Sequence, residues 1–432
     1  MKEILKKFVL FLLKIMARAR MRRYKGTVIA VTGSVGKTST KDAIFTILNS
    51  KFKVKRSEKS MNSEFGVMLS VLDIESGYSS LAKWSVLLIK GFYNCFFRDH
   101  SDVMLLELGV DKPRDMDFLL SVVKPDISVM TSIAPVHMAE GQFENMDQIF
   151  EEKRKMVDAL KEGGIAILNT DNPYLSNLAR LRGKKGTMTF GKNEDADYRA
   201  EEISQSIDGI DFVLRRKDES VEVRSKVLGE HQVYVLIPAL VCAEIMGIDM
   251  PSAIAAISRF SLPPGRMNVI SGMNDAVILD SSYNSSPEAL KAALNILKVV
   301  GEDRHKVAVL GNMNELGKKS RVLHEMIGEI VPDCADVLLT IGADAKLIAG
   351  KAEENGMKKE NVHSFKSADE AAEFFKSKIK KNDVILVKGS QNNVRLEIFV
   401  KKIMRNPEEA PSLLVRQEKA WQAKGSRNIQ KT

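Results

Sequence analysis

The sequence predicts an α/β chain: a domain whose parallel sheet carries a phosphate-binding loop, followed by a smaller Rossmann-like C-terminal domain. Three observations predict it. Strand-like apolar runs alternate with helical patterns through both halves. The stretch "VIAVTGSVGKTSTKDAIFTIL", Val28 to Leu48, sets glycine, lysine and threonine between one such run and a helix. The chain's 432 residues also exceed one ordinary core.

The first 25 residues stand apart. They hold nine Lys/Arg against the single acid Glu3, which is +8 of the chain's net +9. The remainder is close to neutral and carries no zinc-finger, RNA-recognition or helix-turn-helix signature, so nucleic acid is excluded as a partner. Within this segment Leu5, Phe8, Val9, Leu12, Leu13 and Met16 recur at helical spacing. The stretch is too interrupted by charge to span a bilayer, which needs roughly 20 apolar residues, and no small-residue cleavage site follows. A basic amphipathic helix in peripheral contact with the inner membrane surface is expected; a helix docked on its own domain is the alternative. Cys95, Cys242 and Cys334 are odd in number and widely spaced, which argues against a disulfide framework or a zinc site and fits a reducing cytoplasm.

Val28 to Val31 read as a buried parallel strand and Lys41 to Leu48 as the following helix. In the loop between, backbone N–H groups from Gly33, Ser34, Val35, Gly36, Lys37, Thr38 and Ser39 can cradle an anion at the helix N-terminus. Lys37 can reach the terminal phosphates of ATP, and the Thr38 hydroxyl can ligate Mg2+. The full phosphate-loop pattern wants a glycine five residues before Gly36, where this chain has Val31; its glycine sits at Gly33.

Further motifs follow in order: "NSEFGV" at 62 to 67, "LLELGVDKP" at 105 to 113, "TSIAPVHM" at 131 to 138, "EEKRKMVDALKEGGIAILNTDN" at 151 to 172, "PPGRMNVI" at 263 to 270, "ILDSSYNSSPEAL" at 278 to 290, "VAVLGNMNELG" at 307 to 317 and "LVKGSQNNVRLE" at 386 to 397. With the loop, this series resembles the Mur ligases from about residue 26 to about residue 400. The last four look most like the branch that adds D-alanyl-D-alanine to a UDP-N-acetylmuramoyl-tripeptide. The resemblance implies an ATP-dependent amide ligase of peptidoglycan precursor synthesis. The chemistry is coherent: a carboxylate and an amine do not condense at neutral pH, so ATP phosphorylates the carboxylate and the amine displaces phosphate.

Glu107 ends the apolar run "DVMLLELG", as expected of a carboxylate at the carboxyl end of a parallel strand, and suits hard Mg2+. The resemblance implies that His137 ligates a second metal and that Lys153 is the lysine carbamylated in this family, which turns a cation into an anionic ligand. Lys155 competes within "EEKRK"; the resemblance favours Lys153, whose distance to "GGIAILNTDN" agrees with the family's. Arg266 is implied to contact the ATP phosphates, and Asp280, Tyr283 and Asn284 the adenosine side, with Pro263, Pro264 and Gly265 as a hinge. Asn62 and Ser63 resemble a substrate-side turn.

Departures bear on the substrate. About 25 residues precede the first motif, so the UDP-binding domain usual in that branch is expected to be lacking. Gln232 and Val235 stand where the family has asparagines, and Ser281 replaces the second of a pair of aspartates. Two other readings therefore stand beside the first: a Mur-like ligase acting on a different carboxylate, and a membrane-associated, non-catalytic ATP-binding partner. "WSVLLIKGFYNCFF", Trp84 to Phe97, reads as core helix by default, or as a membrane-facing patch together with the N-terminal helix. The expected domains are residues 1–25, the basic helix; 26–262, the central ATP-binding domain; 263–402, the C-terminal domain; and 403–432, a polar tail with a short helix around Leu413 to Gln422.

Overall fold

The computed structural model describes residues 2–57, 61–75, 81–97, 99–136, 138, 140–217, 219–314, 316–391 and 394–417. The chain divides into two compact units, one of residues 1–203, 211–225 and 231–260, the other of residues 204–210, 226–230 and 261–432.

The first unit opens with helix α1 (Lys2–Arg23) and then alternates: β1 (Thr27–Thr32), α2 (Lys37–Leu48), β2 (Val54–Arg56), α3 (Glu64–Leu72), α4 (Leu81–Phe96), β3 (Val103–Glu107), α5 (Asp115–Leu120), β4 (Ile127–Met130), α6 (Met146–Asp158), β5 (Ile165–Asn169), α7 (Pro173–Arg182) and β6 (Thr187–Gly191). Strands β7 (Tyr198–Ser206), β8 (Gly209–Arg216) and β9 (Glu219–Ser225) extend the same sheet, and helices α8 (Val233–Ile245) and α9 (Met250–Ile257) follow. The strand order is β2-β3-β1-β4-β5-β6-β7-β8-β9, parallel from β2 through β7. Strands β3 and β4 are buried throughout, as strands covered on both faces must be. Because β1 lies between β3 and β4, the strand order reverses there, and the carboxyl ends of these three strands open the crevice in which such sheets bind ligands. Val31 of β1 is in register with Glu107 of β3.

Helix α2 starts at Lys37, earlier than the apolar period from Lys41 indicates. Gly36, at φ 85°, turns the loop directly into the helix, and the polar first turn hides the start from a periodicity reading.

The greasy stripe of α1 divides on folding. Val9, Leu13, Met16 and Ala17 are buried in the first unit's core, whereas Leu5 and Phe8 are exposed. Arg20 secures the helix, its Nη1 donating to the Leu72 carbonyl at 3.0 Å and its Nη2 to Asp99 Oδ2 at 2.8 Å. Burial alone would raise the Asp99 carboxyl, but hydrogen bonds from Ser101 and the Lys55 ammonium outweigh it and hold it below the usual range. Among the described residues, no helix is long and apolar enough to cross a membrane.

The second unit contains β10 (Asn268–Ser271), β11 (Val277–Ser281), α10 (Pro287–Val300), β12 (Lys306–Gly311), α11 (Ser320–Ile330), β13 (Val337–Ile341), α12 (Ala345–Glu354), β14 (Val362–Phe365), α13 (Ala368–Lys376), β15 (Val384–Lys388), α14 (Glu397–Ile403) and α15 (Ala410–Leu413). Its sheet runs β10-β11-β15-β12-β13-β14, with only β10 antiparallel to its neighbour. Alternation along the strands builds two cores: Leu279, Ala308 and Leu386 pack with Leu290, Ile327 and Ile348, and Ile278, Val307 and Ile385 with Phe375 and Phe399. Helices therefore cover both faces, as in a doubly wound sheet.

The packed chain continues beyond residue 402. Met404, Ala410 and Leu414 belong to the second of these cores, and helix α15 (Ala410–Leu413) ends at Leu413, where the segment expected to be helical begins; the second half of that segment is not among the described residues. Residues 418–432 lie outside the described residues.

Leu13 is fully buried, so Leu13→Ala is expected to destabilise the first unit by about 2–5 kcal/mol. The solvent-facing Phe11→Ala should change it by no more than about 0.5 kcal/mol. Urea unfolding monitored by circular dichroism checks both.

Candidate active site

The phosphate loop is held in shape by the segment that follows β4. Ser34 N donates to the Ser132 carbonyl at 2.8 Å, and Ser34 Oγ accepts from Ala134 N at 2.9 Å and lies 3.0 Å from the Ala134 carbonyl. Thr131 Oγ1 donates to the Val35 carbonyl at 2.5 Å. Gly33, at φ 147°, leaves room for the Thr131 hydroxyl, with which any Cβ there would collide. Lys37, Thr38 and Ser39 form the first turn of α2, ahead of its first helical hydrogen bond, Thr40 N to Gly36 O at 2.9 Å. Such a turn directs amide dipoles at an anion. Lys37 Nζ lies over the loop, 2.7 Å from the Gly33 carbonyl and 3.3 Å from that of Ser34. Val35 stands exposed at the loop's tip.

Glu107 is the hub. Its carboxylate is 1% exposed and accepts from Thr38 Oγ1 at 2.9 Å on one oxygen and from Asn62 Nδ2 at 2.7 Å on the other. Lys41 Nζ lies 3.9 Å from the first oxygen and donates to the Ser57 carbonyl at 2.8 Å. Burial pushes the Lys41 ammonium below its ordinary range, against the pull of Asp42 and Glu107. Lys41 and Ser57 escape a motif reading; the only sequence signal is a second lysine one helical turn after Lys37. The Thr38 hydroxyl and Glu107 carboxylate suit Mg2+, which takes one or two hard protein oxygens and completes its shell with phosphate and water. Among the described residues, no group of three or more His, Cys, Asp or Glu side chains is placed to hold a metal. His137 lies outside the described residues.

The two lysines of "EEKRK" separate clearly. Lys153 is buried in α6, and burial, with the nearby Lys37 ammonium, pushes it down to about 7; Asp111 and Glu152 act in the opposite sense. Lys155 is at the surface, 2.7 Å from Asp117 and 2.8 Å from Glu152. Glu152, buried, also accepts from Met116 N at 2.7 Å, which couples α6 to α5. Farther along the first unit, Gln232 is buried and its Oε1 has no hydrogen-bond partner among the described residues.

The second unit carries the remaining candidates. The Arg266 guanidinium stacks 4.7 Å from the centre of the Tyr283 ring, and Tyr283 N donates to the Gly265 carbonyl at 3.0 Å. The Asn284 carbonyl accepts from Lys388 Nζ at 3.0 Å. Asp280 is fully buried beneath this turn, its Oδ1 accepting from Ser282 N at 3.1 Å and its Oδ2 without a hydrogen-bond partner among the described residues. Burial pushes its carboxyl up to about 6 and Lys388 down to about 8. Arg416, in the stretch that sequence assigns to a polar tail, pairs with buried Glu397 at 3.0 Å and donates to the Ser282 and Tyr283 carbonyls at 3.3 and 2.6 Å. It braces the turn that presents Tyr283 and Asn284.

Comparison with known proteins places these features in a family. Residues 31–243 match the Mur ligase middle domain, and residues 265–391 match the Mur ligase, glutamate ligase domain. The UDP-N-acetylmuramoyl-tripeptide--D-alanyl-D-alanine ligase of Bacillus subtilis is 27% identical over 393 residues, covering 91% of this chain and 79% of the relative. The MurF ligase from Thermotoga maritima, solved in complex with ADP, superposes with a TM-score of 0.73 at 25% identity, over 93% of this chain and 84% of its own. MurF from Acinetobacter baumannii gives a TM-score of 0.77 at 22% identity, over 92% and 81% of the two chains, a likeness of fold.

A carboxyl raised in the folded state binds its proton more tightly there than in the unfolded chain. Its stabilising contribution is complete below about pH 4 and lost as pH rises through about 6. Asp280→Asn removes this dependence and keeps an acceptor for Ser282 N. The variant's stability relative to the parent is therefore expected to rise by about 2–3 kcal/mol between pH 4 and pH 7, checked by urea unfolding across that range.

Proposed function

We propose, from the premise that this chain belongs to the Mur ligase family, that it is an ATP-dependent ligase joining D-alanyl-D-alanine to a UDP-N-acetylmuramoyl-tripeptide in peptidoglycan precursor synthesis. The observation that carries the reading is Glu107, bonded at once to Thr38 of the phosphate loop and to Asn62 at the carboxyl edge of the sheet. The activity named for the Bacillus subtilis relative supports the choice of substrates.

In this reading the amides of Gly33 to Ser39 and the Lys37 ammonium bind the ATP phosphates. Thr38 and Glu107 would hold one Mg2+, and His137 with carbamylated Lys153 would hold a second. Mg2+ bound there supplies charge neutralisation for the transferring phosphoryl group. A carboxylate oxygen of the tripeptide attacks the γ-phosphorus while the bond to the ADP oxygen breaks, and an acyl phosphate results. The amine of D-alanyl-D-alanine then attacks the acyl carbon, phosphate leaves with the bonding pair, and the amine's surplus proton passes to solvent. Lys37 keeps its positive charge against the phosphoryl oxygens through the first transfer.

Carbamylation requires a neutral amine with carbon dioxide as the electrophile. The burial of Lys153 beside Lys37 supports it, and the surface ion pairs of Lys155 disfavour that lysine. From the second unit, Arg266 is assigned to the phosphates and Asp280, Tyr283 and Asn284 to the adenosine side, on their match to the family's motifs. We assign the chain to the cytoplasm, in peripheral contact with the inner face of the plasma membrane.

Phosphate release by the full chain with ATP, Mg2+ and UDP-N-acetylmuramoyl-tripeptide should require D-alanyl-D-alanine, and mass spectrometry should find the tripeptide extended by the dipeptide. Release without that dependence sinks the substrate assignment. Lys153→Met is expected to lower kcat by about 10²–10³-fold, with Lys155→Met close to the parent. In 13C-bicarbonate a carbamate carbonyl resonance should appear for the parent and vanish in Lys153→Met.

A further inference from the structure

Helix α1 is apolar on two sides. Opposite its core-facing residues, Ile4, Phe8, Phe11 and Ile15 form a second stripe at helical spacing, and Ile4 is 74% exposed. Helix α4 repeats the arrangement: Gly91 and Cys95 pack inward, while Val86, Ile89, Phe92, Tyr93 and Phe96 are each more than half exposed, Ile89 by 71%. The helices are joined. Arg23 donates to the Cys95 and Phe96 carbonyls at 3.2 and 3.4 Å and lies 5.6 Å from the Phe96 ring centre. A Cβ on Gly91 would stand only 3.4 Å from the Met16 methyl. The exposed stripes thus belong to two helices docked on each other, and soluble domains seldom leave so much apolar surface exposed without a use.

Charge indicates the use. Lys7, Lys14, Arg18 and Arg22 run along α1 beside its exposed stripe, and Lys83 and Lys90 border that of α4; Glu3 is the one acid in the two helices. The basic row ends at a cavity of about 280 Å³ lined by Arg18, Arg22, Lys124 and Lys161, together with Met21 and Tyr24. Among the described residues no carboxylate lines it, although Lys161 is itself paired with Asp126 at 2.8 Å. A second copy of this chain would bring the same positive rows face to face, whereas an anionic lipid surface complements them.

We propose that α1 and α4 form a docking surface for an anionic phospholipid bilayer. The apolar stripes enter the acyl boundary, and the basic row and its cavity meet headgroup phosphates, as for helices that lie in a membrane interface. This docking role rests on the peripheral membrane contact assigned above and not on the ligase chemistry; Lys7 also lines a cavity with Asn62 and Asp111.

Flotation of the full chain with vesicles of phosphatidylcholine, alone or mixed with phosphatidylglycerol, tests this. The chain should float only with the mixed vesicles, and less so as salt rises. Lys14→Gln/Arg18→Gln/Arg22→Gln should weaken binding about a hundredfold, at roughly fivefold for each charge near an anionic surface. Ile4→Ser/Phe8→Ser/Phe11→Ser should abolish it, and both variants should retain the parent's circular dichroism and thermal unfolding. Failure of the parent to float with the mixed vesicles, or equal flotation of parent and variants, overturns the proposal. So does a dimer in sedimentation velocity that the serine variant dissociates while vesicle binding is absent, which would assign the face to a second copy. None of these outcomes alters phosphate release, so the ligase reading is tested separately.

Discussion

The Glu107 carboxylate ties three stretches of chain into one site. It ends β3, receives hydrogen bonds from Thr38 at the start of α2 and from Asn62 ahead of α3, and has the Lys41 ammonium behind it. A buried carboxylate is costly unless its lone pairs are occupied, so this bonding is a condition of the fold as much as of any chemistry. The strand order makes it possible: with β1 between β3 and β4, the phosphate loop, Glu107 and the Thr131 to Ala134 segment emerge side by side.

Buried lysines recur where polar chemistry collects. Lys41 and Lys153 in the first unit and Lys388 in the second are all pushed down by loss of water, but their surroundings differ. Lys41 is bonded to the Ser57 carbonyl and held near two carboxylates, which suits a fixed cation. Lys153 has another cation, Lys37, as its chief charged neighbour, and that favours a neutral amine. Lys388 bonds to Ser281 and the Asn284 carbonyl and opposes a raised Asp280, so it organises the turn carrying Tyr283. One residue type thus occurs in three electrostatic settings, chosen by packing.

Helix α1 shows how a single amphipathic pattern can serve two surfaces. Core burial of Val9, Leu13 and Met16 anchors it, and Arg20, bonded to Asp99 and the Leu72 carbonyl, fixes its rotation. With that rotation set, the apolar residues left over necessarily face solvent beside the basic row. The surface exists because the helix carries more apolar residues than one face can bury.

Much of this protein could be read from the sequence because local chemistry decides it. A glycine-bearing loop after an apolar run and ahead of a helix allows few conformations, and alternating periodicities suffice for two α/β units. Glu107 was legible as a strand-end carboxylate. What the sequence could not supply was direction in space. "EEKRK" offers two lysines, and only the packing of α6 buries Lys153 and leaves Lys155 at the surface. The stripe of α1 reads as one face until the core selects Val9 and Leu13 and leaves Phe8 outside. Arg416 lies in a polar run with no motif, yet it braces a turn more than 130 residues away, paired with Glu397. Sequence alone determined the kinds of groups available and the elements that carry them. Tertiary structure alone decided which of those groups lose water and which meet, because burial and long-range contact depend on the whole fold and not on neighbours along the chain.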